Sequence, residues 1–183
     1  KGILLRIDIN HPEKFSNVFK TVTGQTLYRP VTGITTDSRE IKNGDLYVCI
    51  KGTRVDGHSF LSKAEKAGAS CTLVSNINPA LELQQIKVND PLNMIGNIGL
   101  AWRKHFEIPV IAITGSNGKT STKELLVHVL QGSHTVHATR GNFNTTIGLP
   151  LTLLQLDESH SVSILEMGAS LPGEIEKLCL IAQ

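Results

Sequence analysis

The chain has 183 residues, 40% of them hydrophobic and 19% charged, a balance that belongs to globular proteins and excludes fibrous and intrinsically disordered classes. Lys plus Arg is 18 and Asp plus Glu is 16, so the formal charge is +2, and the basic residues are scattered rather than gathered into a stripe, which excludes a nucleic-acid footprint. No apolar run approaches the ~20 residues that cross a bilayer, and Lys1 to Asn10 lacks the apolar stretch and cleavage site of a signal peptide; a cytoplasmic location without a membrane partner is the expectation. Cys49, Cys71 and Cys179 stand far apart in apolar runs without metal-ligand spacing, as buried reduced thiols would. The start without Met and the unfinished helical pattern at Ile181 to Gln183 read as a segment of a longer protein.

From Gly33 to Ser75 the pattern runs strand, turn, strand, helix, strand. Asp45 to Ile50 and Cys71 to Ser75 are β-prone runs, and between them Phe60, Leu61, Ala64 and Ala67 share a helix face, with Ser59 as its expected N-cap and Gly68 as its stop. A second helix is expected from Asp90, whose carboxylate can cap free N–H groups, followed by Pro91 in the first turn; Ile95, Ile98 and Trp102 share its face. The boundary of a first domain is placed at residues 1–90, with residues 91–108 as a connecting helix.

After Pro109, Val110 to Ile113 is a short apolar run of the kind expected for a parallel strand buried on both faces. A glycine-containing turn follows, then a helix whose apolar stripe is Leu125, Leu126, Val129 and Leu130 and which Gly132 ends. Val162 to Met167 reads as another buried strand. The fold class is therefore α/β: a small N-terminal α/β domain, then, over residues 109–183, the start of a P-loop parallel-sheet ATPase domain.

The chemistry concentrates in the turn, Gly115, Ser116, Asn117, Gly118, Lys119, Thr120 and Ser121. Small residues between a strand and a helix let consecutive N–H groups face one anion, and the helix N-terminus adds partial positive charge. Lys119 is placed to reach the β and γ phosphates of ATP, and the Thr120 hydroxyl to serve Mg²⁺. The pattern G-x-x-x-x-G-K-[ST] is met only in its second half, because Ile113 stands where the first Gly belongs; the bland alternative is a glycine turn with an exposed lysine. Glu166, at the end of the later strand, is a second Mg²⁺ candidate, against a solvated strand-end carboxylate. His58, His134 and His137 lack ligand spacing and read as structural or solvent-facing. Arg54 and Asp56 are assigned either to a ligand or to the shape of their turn.

Four blocks resemble the Mur ligases: Thr36-Asp37-Ser38-Arg39; Gly44-Asp45-Leu46-Tyr47 through Asp56-Gly57-His58-Ser59-Phe60; the phosphate loop; and Gly141-Asn142-Phe143-Asn144 through Leu154. Glu166-Met167-Gly168-Ala169 with Gly173-Glu174-Ile175 completes the set, while Thr145 and Thr146 depart from the family pattern. The resemblance covers most of the chain from about Gly33. It implies a three-domain enzyme of which this chain holds the UDP-sugar-binding domain and the front of the ATPase domain; a monomer is the expectation. In the branch most resembled, UDP-N-acetylmuramoyl-tripeptide and D-alanyl-D-alanine are joined through an acyl phosphate at the expense of ATP. By the same resemblance Ser38 and Arg39 contact the sugar nucleotide with Asp37 as support, Asn142 and Asn144 lie near the reacting carboxylate with Lys119, and Thr120 and Glu166 hold magnesium. The family's carbamylated lysine, later metal-binding histidine and adenine contacts are expected beyond Gln183. The competing readings are a family member adding a single amino acid, a P-loop hydrolase or phosphotransferase, and a binding module inactive by itself.

Overall fold

Strand β1 (Arg6–Asp8) and helix α1 (Pro12–Thr23) lie within the first thirty residues, which periodicity left unassigned. The computed structural model describes residues 6–52 and 55–183, so Arg54 lies outside the described residues; the chain divides into two units between Ile98 and Gly99. Helix α1 starts on Pro12, whose missing N–H costs nothing there, and buries Phe15, Val18 and Phe19 at helical spacing.

In the first unit β1 pairs antiparallel with β2 (Gly33–Thr35), and β3 (Asp45–Val48), β4 (Cys71–Val74) and β5 (Gln85–Lys87) continue the sheet in parallel, in the order β1-β2-β3-β4-β5. Every residue of β2, β3 and β4 is buried, as parallel strands covered on both faces require. A 3-10 turn, Gly57–Phe60, leads into α2 (Leu61–Lys66). Tyr47 and Cys49, on one face of β3 and its extension, cluster with Leu61 and Ala64 of α2 and with Ala69 and Val74. Ser59 is not the cap: the Asp56 carboxylate accepts the His58 N–H, while the Ser59 hydroxyl donates to the Asp56 carbonyl. The carboxylate two residues upstream of the turn's second N–H is better placed than a hydroxyl already inside the turn.

One polar group crosses this sheet. Arg6 on β1 forms a two-pronged ion pair with Asp45 on β3, Nε to Oδ2 and Nη2 to Oδ1 both at 2.9 Å, although β2 lies between them. Gly33 on β2 makes room: a Cβ there would stand 2.4 Å from both Arg6 Nη2 and Asp45 Oδ1. Asp45 is fully buried and also accepts the Lys42 N–H at 2.8 Å.

Helix α3 (Pro91–Arg103) begins as its sequence dictates, with Asp90 Oδ1 accepting the N–H groups of Leu92 at 2.9 Å and Asn93 at 3.2 Å, a cap that contributes about 1 kcal/mol. Ile95, Ile98 and Trp102 are all buried. Beyond Ile98, the Trp102 indole donates to the Leu156 carbonyl at 3.0 Å, and Arg103 ties down the connection by donating to the carbonyls of Phe106 and Ile108.

The second unit holds three parallel strands, β6 (Val110–Ile113), β7 (Val136–Ala138) and β8 (Val162–Glu166), ordered β6-β8-β7. Helices α4 (Lys119–Leu130), α5 (Gly148–Leu153) and α6 (Glu174–Ala182) accompany them. β8 is central and buried throughout, and α5 is buried on every side. β6 corrects an expectation: it is an edge strand, half-buried with Ala112 exposed, because only its β8 side is paired among the described residues. The α4 stripe is corrected too. Leu125 and Val129 are 67% and 71% exposed while Lys123 on the same helix is buried, so the face that turns inward is not the one apolar spacing selects. The helix ends at Leu130, with Gly132 in the following turn. All three cysteines are free, but only Cys49 and Cys71 are buried; Cys179 is exposed on α6, beside buried Leu178.

Candidate functional site

β6 and β8 run parallel with Ile113 level with Glu166, so the loops leaving both strands emerge at one end of the sheet, where α/β folds bind ligands. After β6, Gly115 and Gly118 take φ values of +144° and +78°, conformations a side chain resists, and Gly118 turns the chain into the N-terminus of α4. The first N–H groups of this 12-residue helix lack carbonyl partners within it, which makes them an anion cradle. Lys119, the first helical residue, folds back so that Nζ donates to the Gly115 carbonyl at 2.6 Å. Among the described residues no carboxylate pairs with this ammonium, so it can turn to an incoming anion for the loss of one carbonyl contact.

Glu166 is 3% exposed, and its two carboxylate oxygens point to different neighbours. The Thr120 hydroxyl donates to Oε2 at 2.9 Å, and the Asn144 amide donates to Oε1 at 2.7 Å. Both donors are neutral. The strand end is held by the Glu166 N–H on Thr139 Oγ1 at 3.0 Å and the Met167 N–H on the Ile113 carbonyl at 2.8 Å. The Asn144 carbonyl accepts the Gly168 N–H at 2.8 Å, which fixes the Asn144 loop beside the Glu166 loop. A groove of about 560 Å³ runs between Gly115, Ser116 and Lys119 on one side and Asn144, Gly168 and Ala169 on the other. Glu174 borders it; the N–H groups of Ser170 and Leu171 donate to its carboxylate and hold its pKa below the usual range.

Among the described residues no group of three or more His, Cys, Asp and Glu side chains could enclose a metal ion. The Thr120 hydroxyl with the Glu166 carboxylate is a smaller, oxygen-only set, suited to a hard divalent cation that takes its other ligands from water and phosphate.

At the carboxyl end of the first unit's sheet, Asp37 and Arg39 form a two-pronged pair, Nη2 to Oδ2 at 2.5 Å and Nε to Oδ1 at 2.9 Å, which holds the Asp37 carboxyl below its ordinary pKa. Ser38 between them is buried, and the Arg39 side chain is 69% exposed. His58 contacts Asp56 through Nδ1 at 2.7 Å, and its Nε2 accepts the Ser75 N–H at 2.9 Å. That backbone donor requires Nε2 to be unprotonated, so Nδ1 carries the proton.

The Mur ligase middle domain family matches residues 113–183, and the Mur ligase family, catalytic domain, matches residues 30–103. The chain belongs to the Mur ligase family. Two curated relatives are UDP-N-acetylmuramoyl-tripeptide–D-alanyl-D-alanine ligases. The one from Bacillus subtilis is 39% identical over 91% of this chain and 38% of the relative; the one from Escherichia coli is 38% identical over 78% and 31%. Two solved structures are similar as well. The MurF from Acinetobacter baumannii has a TM-score of 0.85 at 32% identity, covering 92% of this chain and 38% of that one. The MurF ligase from Thermotoga maritima, in complex with ADP, has a TM-score of 0.75 at 35% identity, covering 81% and 35%. This Mur ligase chain thus spans under two fifths of the length of these relatives.

Within the Mur ligase chain, the fold brings together Gly115, Ser116, Lys119, Thr120, Asn144 and Glu166 around one groove and its floor. Asn117 and Gly118 are exposed at the loop's tip and Ser121 in the first turn of α4. Asn142 is exposed in the turn before Phe143 and does not line the groove. Thr145, at the departure from the family pattern, lines the groove and accepts the Gly148 N–H at 3.3 Å, so its hydroxyl serves the start of α5. His137 is buried: Nε2 donates to the Thr152 carbonyl at 3.0 Å, and the Ser163 hydroxyl donates to Nδ1 at 2.9 Å. Burial pushes its pKa down to about 4. Sequence reasoning missed Thr139 and Lys123. Nothing in a lone Thr after a three-residue strand marks it, and Lys123 carries the charge that normally signals a solvent face.

Proposed function

We propose that the chain is the front part of an ATP-dependent ligase that adds D-alanyl-D-alanine to UDP-N-acetylmuramoyl-tripeptide in cell-wall precursor synthesis. Residues 1–90 form the UDP-sugar-binding domain, residues 91–108 the connection, and residues 109–183 the front of the ATP-binding domain. The observation that carries this reading is the buried Glu166 carboxylate, held between the Thr120 hydroxyl and the Asn144 amide beside a phosphate-binding loop. The names of the relatives supply the substrates.

The tripeptide's terminal carboxylate oxygen attacks the γ-phosphorus of ATP and the bond to the ADP oxygen breaks. The amine of D-alanyl-D-alanine then attacks the acyl carbon, inorganic phosphate leaves, and the amine gives up a proton as the amide forms. Bringing a carboxylate to a triphosphate opposes like charges, and the chain answers with the N–H groups at the start of α4 and with Lys119, released from the Gly115 carbonyl. Thr120 and Glu166 are the residues that would hold Mg²⁺, which when bound supplies further screening of the phosphate charge. Asn144 keeps the Glu166 carboxylate turned toward the loop, and Ser38 and Arg39 serve the sugar nucleotide. The enzyme works as a monomer in the cytoplasm.

The test is ADP release by the full-length parent with UDP-N-acetylmuramoyl-tripeptide, ATP, Mg²⁺ and D-alanyl-D-alanine, each omitted in turn. Release that needs all of them is the expected result. Release without the dipeptide or the sugar nucleotide means a hydrolase, and release with a single amino acid in place of the dipeptide means another member of the family.

A further inference from the structure

Lys123 is a buried cation that the proposed reaction does not use. Its side chain is 4% exposed, and Nζ donates to the Thr139 carbonyl at 2.7 Å while pairing with the exposed Glu124 carboxylate at 3.0 Å. Burial strips an ammonium group of water that surface lysines keep, so the contact it makes bears on what the site needs. Thr139 is 1% exposed and joins two strand ends: its N–H donates to the Ile164 carbonyl at 3.0 Å, and its Oγ1 accepts the Glu166 N–H at 3.0 Å. Lys123 lies one turn along α4 from Lys119 and Thr120. One end of this chain of contacts is therefore the helix that carries the phosphate loop, and the other is the backbone of the carboxylate that Thr120 touches.

We propose that Lys123, acting through Thr139, is a positioning residue that sets the separation between Thr120 and Glu166 and so the affinity of the cation site. The proposal rests on Glu166 being a Mg²⁺ ligand. Removing Lys123 frees the Thr139 carbonyl and lets the end of β7 move relative to α4, which spreads the two oxygen donors without altering either. Outer partners of metal ligands typically contribute 10–100-fold in metal affinity or activity.

The experiment is a Mg²⁺ titration of the full-length parent with Lys123→Met, Thr139→Val and Glu166→Gln side by side, read both as ADP release and, without substrates other than ADP, as the Mg²⁺-dependent rise in melting temperature, whose midpoint must move with that of the rate. Lys123→Met is expected to raise the Mg²⁺ concentration for half-maximal rate by about tenfold or more, with turnover recovering at saturating Mg²⁺. An unchanged midpoint in a folded Lys123→Met protein, or a loss that excess Mg²⁺ does not recover, overturns the proposal. Should Lys123→Met fail to fold, Thr139→Val decides: it removes only the Oγ1 acceptor of the Glu166 N–H and is expected to shift the midpoint in the same direction, and no shift overturns the proposal. Glu166→Gln separates the two readings. If it alone moves the titration, Glu166 keeps the metal and Lys123 loses its role; if it does not move it, the metal assignment fails and the proposal with it.

Discussion

Two buried carboxylates, one in each unit, are treated in opposite ways. Asp45 in the first unit is gripped by Nε and Nη2 of the Arg6 guanidinium, whose Nη1 turns to Asp8, and by the Lys42 N–H, so its charge is neutralised inside the protein. Glu166 in the second is almost as buried, yet its side-chain partners are a hydroxyl and an amide, which orient the charge without cancelling it. The cations mirror this. Arg6 is committed to a carboxylate and its pKa is raised by that bond; Lys119 rests on a backbone carbonyl. Charges spent on internal partners hold a fold together, whereas charges held open on neutral partners remain available to a ligand.

The comparison breaks most visibly at Arg6. Arg6→Met leaves Asp45 buried without its cation, and removing one partner of such a pair is expected to cost about 3–5 kcal/mol, read as a lower urea midpoint at unchanged slope. An unaffected midpoint would mean that Asp45 is solvated or protonated without cost. Lys119→Ala is the counterpart: melting should stay within a few degrees of the parent while ligation by the full-length protein falls about 100-fold or more, equivalent to about 3 kcal/mol of transition-state stabilisation. Near-normal turnover would remove Lys119 from the phosphate site.

His137 gives a smaller effect and tests whether the second unit also commits titratable groups to its fold. Its folded pKa, about 4, lies below the unfolded value near 6.5, so the unfolded chain binds the extra proton first. Stability is then full above pH 6.5 and declines as pH falls toward 4, with about 1 kcal/mol lost by pH 5.5. His160, whose ring centroid is 5.2 Å away, and Arg140 both push in this direction; Asp157 opposes it. Urea midpoints at pH 7 and pH 5.5 measure the decline, and His137→Gln should flatten it.

What could be read from sequence was local. The Asp90 cap, the buried β8, and the strand, turn and helix around Gly118 follow from residues within a few positions of one another, and each stands where spacing put it. β1 was not legible because its three residues, Arg-Ile-Asp, show a single apolar position and gain their meaning from Asp45, 39 positions from Arg6. α4 misled for a related reason. Apolar spacing locates a core face only when something covers that face, and Leu125 and Val129 are uncovered among the described residues. Lys123 was hidden because burial of a lysine depends on one carbonyl from another strand end. The sequence named Lys119, Thr120, Asn142, Asn144 and Glu166 as candidates; the fold gathers four of them around one groove and its floor and leaves Asn142 outside it, and the order of contacts among the four came only with the fold.

The bare Cα of Gly33 has a consequence for substitution. Because a Cβ at position 33 would stand 2.4 Å from both Arg6 Nη2 and Asp45 Oδ1, a side chain gained there must push one or both members of the pair out of their present geometry. Positions 6, 33 and 45 are therefore energetically coupled, so a change at one alters the cost of a change at the others.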